Sequence, residues 1–240
     1  MVRKIILLTC LVCLGFATLA QEPEESEPSK ASFYMNADVV SRYLWRGLLY
    51  SPNVNIQPTA GLSVGNFFVG AWGSYAISDK YAEVDFFAGF TSGGLMFMVS
   101  DYYAEIETDM AAIEHFQWGA DETAHALEAT VSYTFGEAFP LTLTAATFFY
   151  GNDRDAQGDN YYSTYLEGSY PFSFSGYDFN LFAGGTPAEG LYAAEAALVN
   201  LGLSASKSIQ INENISIPVS MSLVSNPKAE DIFFIVKVTL

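Results

Sequence analysis

Arg42 and Arg46 stand four residues apart in Ser41-Arg42-Tyr43-Leu44-Trp45-Arg46-Gly47, and they are the side chains best suited to act on a charged solute. In an extended segment that spacing puts both guanidiniums on one face with Asp38, and puts Val39, Tyr43 and Trp45 on the other. The same period-two parity sends Glu83, Asp85, Glu128, Glu167 and Asp178 to the matching face of their own segments. Two arginines then face a larger set of carboxylates. Two chemistries follow from that set. One is a charged constriction that filters small polar solutes and prefers cations. The other is a salt-bridged interior that closes a small barrel, because a buried charge needs a partner.

Covalent catalysis has little to work with. Histidine occurs only as His115 and His125, and His125 shares the outward parity of Leu127 and Ala129, where a lipid-facing Ser-His hydrolase would keep its base. No Gly-x-Ser-x-Gly context adjoins it, so an outer-membrane lipid hydrolase is the remote reading and the chain is expected not to be an enzyme, with no catalytic residue. Asp153, Asp155 and Asp159 in Asn152–Asn160 echo a calcium loop but lack its closing glutamate, and a solvated turn is the expectation. No cofactor and no metal site are expected. Both cysteines, Cys10 and Cys13, lie near the N-terminus, which leaves the rest of the chain without thiolate chemistry.

The elements that would hold these groups alternate apolar with small or polar residues. Asp178-Phe179-Asn180-Leu181-Phe182-Ala183, Ser216 to Leu223 and Asp231 to Leu240 are three examples. Each gives one greasy face and one face of Ser, Gly, Asn and charge. A greasy face turned to lipid around a polar interior is the pattern of a transmembrane antiparallel β-barrel. Twelve strands are predicted: 33–46, 55–64, 67–76, 82–91, 95–101, 124–135, 141–150, 161–170, 177–184, 196–207, 215–224 and 232–240. The connectors largely alternate between short and long, as periplasmic turns and external loops do. Gly65-Asn66, 91–94, 136–140, 171–176 and a longer 208–214 fall on one side; 47–54, 77–81, 102–123, 151–160, 185–195 and 225–231 fall on the other. The longest, 102–123, carries a candidate short helix from Ala104 to Glu114 that would fold over or into the mouth.

Met1-Val2-Arg3-Lys4, the apolar run Ile5–Phe16 and Thr18-Leu19-Ala20 describe a signal peptide over 1–20. Residues 21–31, rich in Glu, Ser and Pro, read as a disordered periplasmic lead-in, and 32–240 as one barrel domain. Removing the signal takes Arg3 and Lys4 and leaves 8 basic against 27 acidic residues, a formal charge of −19. Such a surface repels nucleic acid and suits small cations and the divalent ions that bridge lipopolysaccharide. Tyr43, Trp45, Trp72, Tyr75, Tyr133 and Tyr170 are expected as membrane-interface aromatics. Inward Gly61, Ser63, Gly89, Thr130, Ser132, Thr144, Ser204 and Ser220 argue for space in the lumen. Phe87, Tyr165, Phe182 and Phe233 argue for filling.

Ser41 to Gly47, then Gln57 to Leu62, Phe68 to Ser74 and Glu83 to Phe90 resemble an outer-membrane porin family known as TorF-like proteins. Its members show S-R-Y-x-W-R-G, G-x-W-x-S and E-x-D-x-Y-x-G strands, with Phe87 here in place of the usual Tyr. The resemblance implies a barrel in the bacterial outer membrane, in contact with its lipids and lipopolysaccharide and passing small hydrophilic solutes. It implies no particular solute and no oligomeric state.

Overall fold

The chain forms a closed antiparallel barrel because its alternating segments have no other way to pair every strand edge. A computed structural model describes residues 30–78, 80–106 and 113–240. The proposed signal peptide and most of the lead-in lie outside the described residues. The wall is built from β1 (Ala31–Val40), β4 (Asn55–Val64), β5 (Phe67–Ala76), β6 (Tyr81–Ser92), β7 (Leu95–Tyr102) and β9 (Ala126–Thr134). It continues through β10 (Thr142–Gly151), β11 (Thr164–Phe174), β12 (Tyr177–Thr186), β13 (Ala197–Asn212), β14 (Ile215–Asn226) and β15 (Asp231–Thr239). Each wall strand pairs with the next, and β1 pairs with both β4 and β15, so these twelve strands close on themselves. Three short strands add to these twelve: β2 (Tyr43–Trp45) and β3 (Leu48–Ser51), which pair only with each other, and β8 (Ala104–Ile106), which pairs with β6 of the wall.

Parity sorts the side chains as the pleat requires. Phe67, Val69, Phe97, Val131, Leu143, Leu166, Leu181, Leu203, Leu223 and Phe234 all point outward, each more than 40% exposed. Their neighbours in sequence point inward. An apolar belt of this kind is what a bilayer solvates and water does not. No helix occurs among the described residues.

Inward glycines do not open the lumen. A Cβ on Gly61 would strike the Tyr34 ring, one on Gly89 the Phe68 ring, and one on Gly202 the Phe182 ring. Tyr165 lies over Gly184 and Phe87 over Gly70 in the same way. An aromatic ring on one strand thus fills the gap left by glycine on the next, which lets the sheet bend sharply while staying packed. Gly61 and Gly89, expected to give space, are sites of filling.

Several boundaries differ from expectation. The first strand does not run from Phe33 to Arg46; it leaves the wall after Val40, and Ser41 N then donates to Val236 O at 2.9 Å. The segment 47–54 is not a plain external loop, because β3 returns antiparallel to β2. β11 continues to Phe174 and β13 to Asn212, so their connectors shrink to Ser175-Gly176 and Glu213-Asn214. The expected helix after Ala104 is instead β8, paired to β6; residues 107–112 lie outside the described residues.

Candidate functional site in the lumen

The β2–β3 hairpin folds into the barrel and organises its interior. Arg46 (φ +49) and Gly47 (φ +79) are its two turn residues, both left-handed, as a type I′ turn demands. Glycine is required at 47. A Cβ there would sit 1.9 Å from Val199 O, while Gly47 O accepts from Asn226 Nδ2 at 3.1 Å. The hairpin tip is therefore seated against β14 and β13, two and three strands along the ring from the strand it left.

At that tip Arg46 meets Glu128 in a bidentate pair, Nη1 to Oε1 at 2.5 Å and Nη2 to Oε2 at 3.0 Å. Glu128 is fully buried and also accepts from Tyr102 Oη at 3.0 Å and Thr130 Oγ1 at 3.2 Å. Arg46 Nη1 further donates to Tyr192 Oη at 2.5 Å, and the guanidinium lies 4.4 Å from the Trp45 ring centroid and 4.6 Å from that of Tyr165. Charge, planarity and ring faces all match the geometry arginine favours in a desolvated site. Phe148, Tyr165, Tyr192 and Val199 form the buried cluster around it, with Trp45 and Leu48 packed on.

Tyr43 and Trp45 are thus lumen residues and not interface anchors. Tyr43 is 7% exposed and stacks near Tyr50 and Trp72, with centroids 5.3 and 5.4 Å away. Trp72, which shares the inward parity of Ser74, is likewise drawn inward. For Tyr43 and Trp45 the reason is that the chain leaves the wall after Val40, so parity carried through Ser41 no longer reports which side is lipid; Trp72 is inward by the alternation of β5 itself, opposite to Val69 and Tyr75. Tyr75 and Tyr133 do face outward, 44% and 47% exposed, and Tyr170 sits on the outer face beside Phe139.

The remaining charged positions distribute as follows. Asp38 accepts from Lys237 Nζ at 3.1 Å and Thr239 Oγ1 at 2.5 Å, across the β1–β15 seam. Glu167 accepts from Tyr165 Oη and Asn200 Nδ2. Asp178 is exposed near the short-turn end and accepts from Ser173 Oγ. Arg42 Nε is buried without a hydrogen-bond partner and borders a polar cavity of about 290 Å³ with Asp38, Gln57, Asn200, Ser220 and Lys237. Glu83 and Asp85 are 4% and 6% exposed, and Glu83 borders a second cavity on the other flank of the hairpin. Glu83 accepts from Tyr81 Oη at 2.6 Å and Asp85 from the Tyr103 amide at 3.3 Å. No Lys, Arg or His nitrogen among the described residues lies within 4.0 Å of either.

His125 is on the outer face but sealed from lipid. Its Nδ1 meets both Asp101 carboxylate oxygens at 2.9 Å, its Nε2 meets His115 O at 2.8 Å, and Trp118 stacks on the ring at 3.8 Å. Both ring nitrogens are committed to holding residues 113–124 against the wall. The sequence Gly61-Leu62-Ser63-Val64-Gly65 runs into the β4–β5 turn, at the other end of the barrel from His125. Asp153 accepts from Ser163 N and Oγ, and Asp155 caps the turn by accepting from Gln157 N and Asp159 N. Asp153 and Asp155, two of the three carboxylates that echo a calcium loop, thus accept hydrogen bonds within the segment 151–163. At the loop rim Lys228 donates to Glu195 at 2.5 Å and holds that carboxyl below its ordinary value.

Fold and interior together define a membrane-type barrel with a charged, partly filled lumen. Residues 24–220 match the family described as a bacterial protein of unknown function, Gcw_chp, and the chain belongs to that family. This is the family shown, and the TorF-like likeness stays a likeness over Ser41–Phe90. No curated protein matches. Among solved structures the chain is similar to the COG4313 outer membrane channel from Pseudomonas putida F1, at 11% identity and a TM-score of 0.41, over 92% of this chain and 98% of that one.

Proposed function

We propose that this protein is a porin-like barrel of the bacterial outer membrane, in which small hydrophilic solutes, cations ahead of anions, diffuse through a narrow lumen constricted by the β2–β3 hairpin. The observation that carries the reading is the inverted polarity of the wall combined with an inward hairpin flanked by cavities on both faces. A barrel that only needed filling would have no use for cavities on either side of its plug. Acidic excess sets the sign of the preference, since Glu83 and Asp85 have no basic neighbour while Arg46 spends its charge on Glu128. The working parts are non-catalytic: size, field and the position of the hairpin. Lipid and lipopolysaccharide contact the belt and the long-loop rim.

A second reading is a closed barrel whose long loops bind a partner, favoured by the many contacts that pin Arg46. Planar-bilayer recording of the refolded chain under a salt gradient separates the two. Discrete steps with a cation-selective reversal potential support the channel. Silence from barrels verified as folded would overturn it in favour of the closed form.

A further inference from the structure

We propose that the cavity between the inner hairpin and the wall is a binding site for a small organic cation of the quaternary-ammonium class. The cavity holds about 240 Å³ and is bordered by Tyr43, Trp45, Tyr50, Tyr102 and Phe148, with Glu83 in its wall. The rings form a continuous lining: Tyr43 to Tyr50 5.3 Å, Tyr50 to Trp45 6.0 Å, Trp45 to Tyr102 5.5 Å and Tyr102 to Phe148 5.7 Å between centroids. Rings packed edge to edge in this way give the cavity a wall of aromatic carbon, the kind of lining that recognises methylated ammonium cations without hydrogen bonds.

Charge points the same way. Glu83 is buried with only hydroxyl donors for company, and Asp85 lies two residues along on the same inward parity. A buried carboxylate is costly unless a cation joins it. A strongly hydrated inorganic cation would have to shed its water against aromatic carbon. An alkylated ammonium is weakly hydrated and offers the rings an apolar, positive surface. The barrel already uses rings this way, since the Arg46 guanidinium sits against Trp45 and Tyr165. The inference deepens the channel reading by naming the solute class, and it rests on that reading only for how the ligand arrives.

The test is calorimetric titration of the folded full-length barrel in detergent with choline, with 3,3-dimethylbutanol, its neutral carbon isostere, and with potassium. Choline should bind saturably, at least tenfold more tightly than the isostere or potassium. Glu83→Gln and Tyr50→Leu, each checked for folding by heat-shifted gel mobility, should each weaken choline tenfold or more. Equal binding of choline and the isostere, or no saturation by choline at concentrations on the order of 10 mM, would overturn the site without any variant. Because the titration needs no conduction, a silent bilayer recording with intact choline binding would refute the channel and leave the site standing.

Discussion

Replacing Arg46 with alanine should unlatch the inner hairpin while leaving the barrel wall intact. The wall is held by twelve paired strands, and Arg46 belongs to none of them. Removing it strands Glu128, fully buried, without its counter-charge. Breaking one partner of a buried pair costs about 3–5 kcal/mol. The Tyr102 and Thr130 donors that remain on Glu128 argue for the lower end, near 3 kcal/mol, and lost ring contacts at Trp45 and Tyr165 add roughly 1 kcal/mol. The docked state should lose a factor on the order of 10² to 10³ relative to the undocked one, at about 1.4 kcal/mol per tenfold. Because the only cysteines, Cys10 and Cys13, fall within the expected signal peptide, Leu48→Cys offers a thiol reporter in the hairpin where it packs on the buried cluster.

Maleimide labelling of that thiol in folded barrels should speed up by about the same factor in Arg46→Ala. Single-channel steps should become larger or noisier. Arg46→Lys keeps the charge but loses the bidentate fork, and should fall between the two. Arg46→Met combined with Glu128→Gln removes both charges, and should label more slowly than either single change, the mark of direct coupling. Gly47→Ala gives an independent route to the same state, since φ +79 and the 1.9 Å approach to Val199 O evict any side chain while every charged partner survives. Unchanged labelling and unchanged current in both Arg46→Ala and Gly47→Ala would refute the reasoning that this hairpin is held by its tip.

Two further outcomes follow from the wall. Leu181→Arg, at mid-strand on the apolar belt, should cost roughly 2–4 kcal/mol in refolding titrations into lipid, whereas Ser204→Arg on the inner face should cost much less if that face is polar. Asp101→Asn should loosen residues 113–124 by weakening the hold on His125, seen as faster protease cleavage there with unchanged heat-shifted mobility; equal cleavage would deny that His125 fastens this segment.

The wall was legible because period two runs through the middle of the wall strands, its register shifts falling near strand ends at Phe148–Tyr150, Gly184-Gly185 and Gln210–Asn212, and a lipid-facing side chain fixes the parity of its strand. Twelve strands, their order and the alternation of connectors could be read from Leu181, Leu203 and Leu223 and their small polar neighbours. The interior was less legible for a physical reason. Arg42 and Arg46 continue the parity of Asp38 while Tyr43 and Trp45 continue that of Val39, so periodicity cannot register that the chain turns inward after Val40. A signal was nonetheless present: Leu48-Leu49-Tyr50 is too apolar for a solvated loop, and Arg46-Gly47 between two apolar triplets marks a hairpin. The Arg46–Glu128 pair joins positions 82 residues apart, and no local pattern encodes it.

That division has a functional consequence. The two arginines of one short motif do opposite things although their spacing made them equivalent. Arg46 is neutralised and stacked, which makes it a latch. Arg42 Nε is buried without a partner beside a polar cavity, which leaves its charge facing the lumen. A solute crossing the hairpin would meet Glu83 on one flank and Arg42 on the other. If both act on the ion stream, Arg42→Gln should raise cation selectivity and Glu83→Gln should lower it, whereas Arg46→Gln should act chiefly through the hairpin's position. Reversal potentials for the three variants, measured in the same salt gradient, would separate a charge that filters from a charge that fastens. A shift of the same sign in Arg42→Gln and Glu83→Gln would show that neither carboxylate nor guanidinium sets the field.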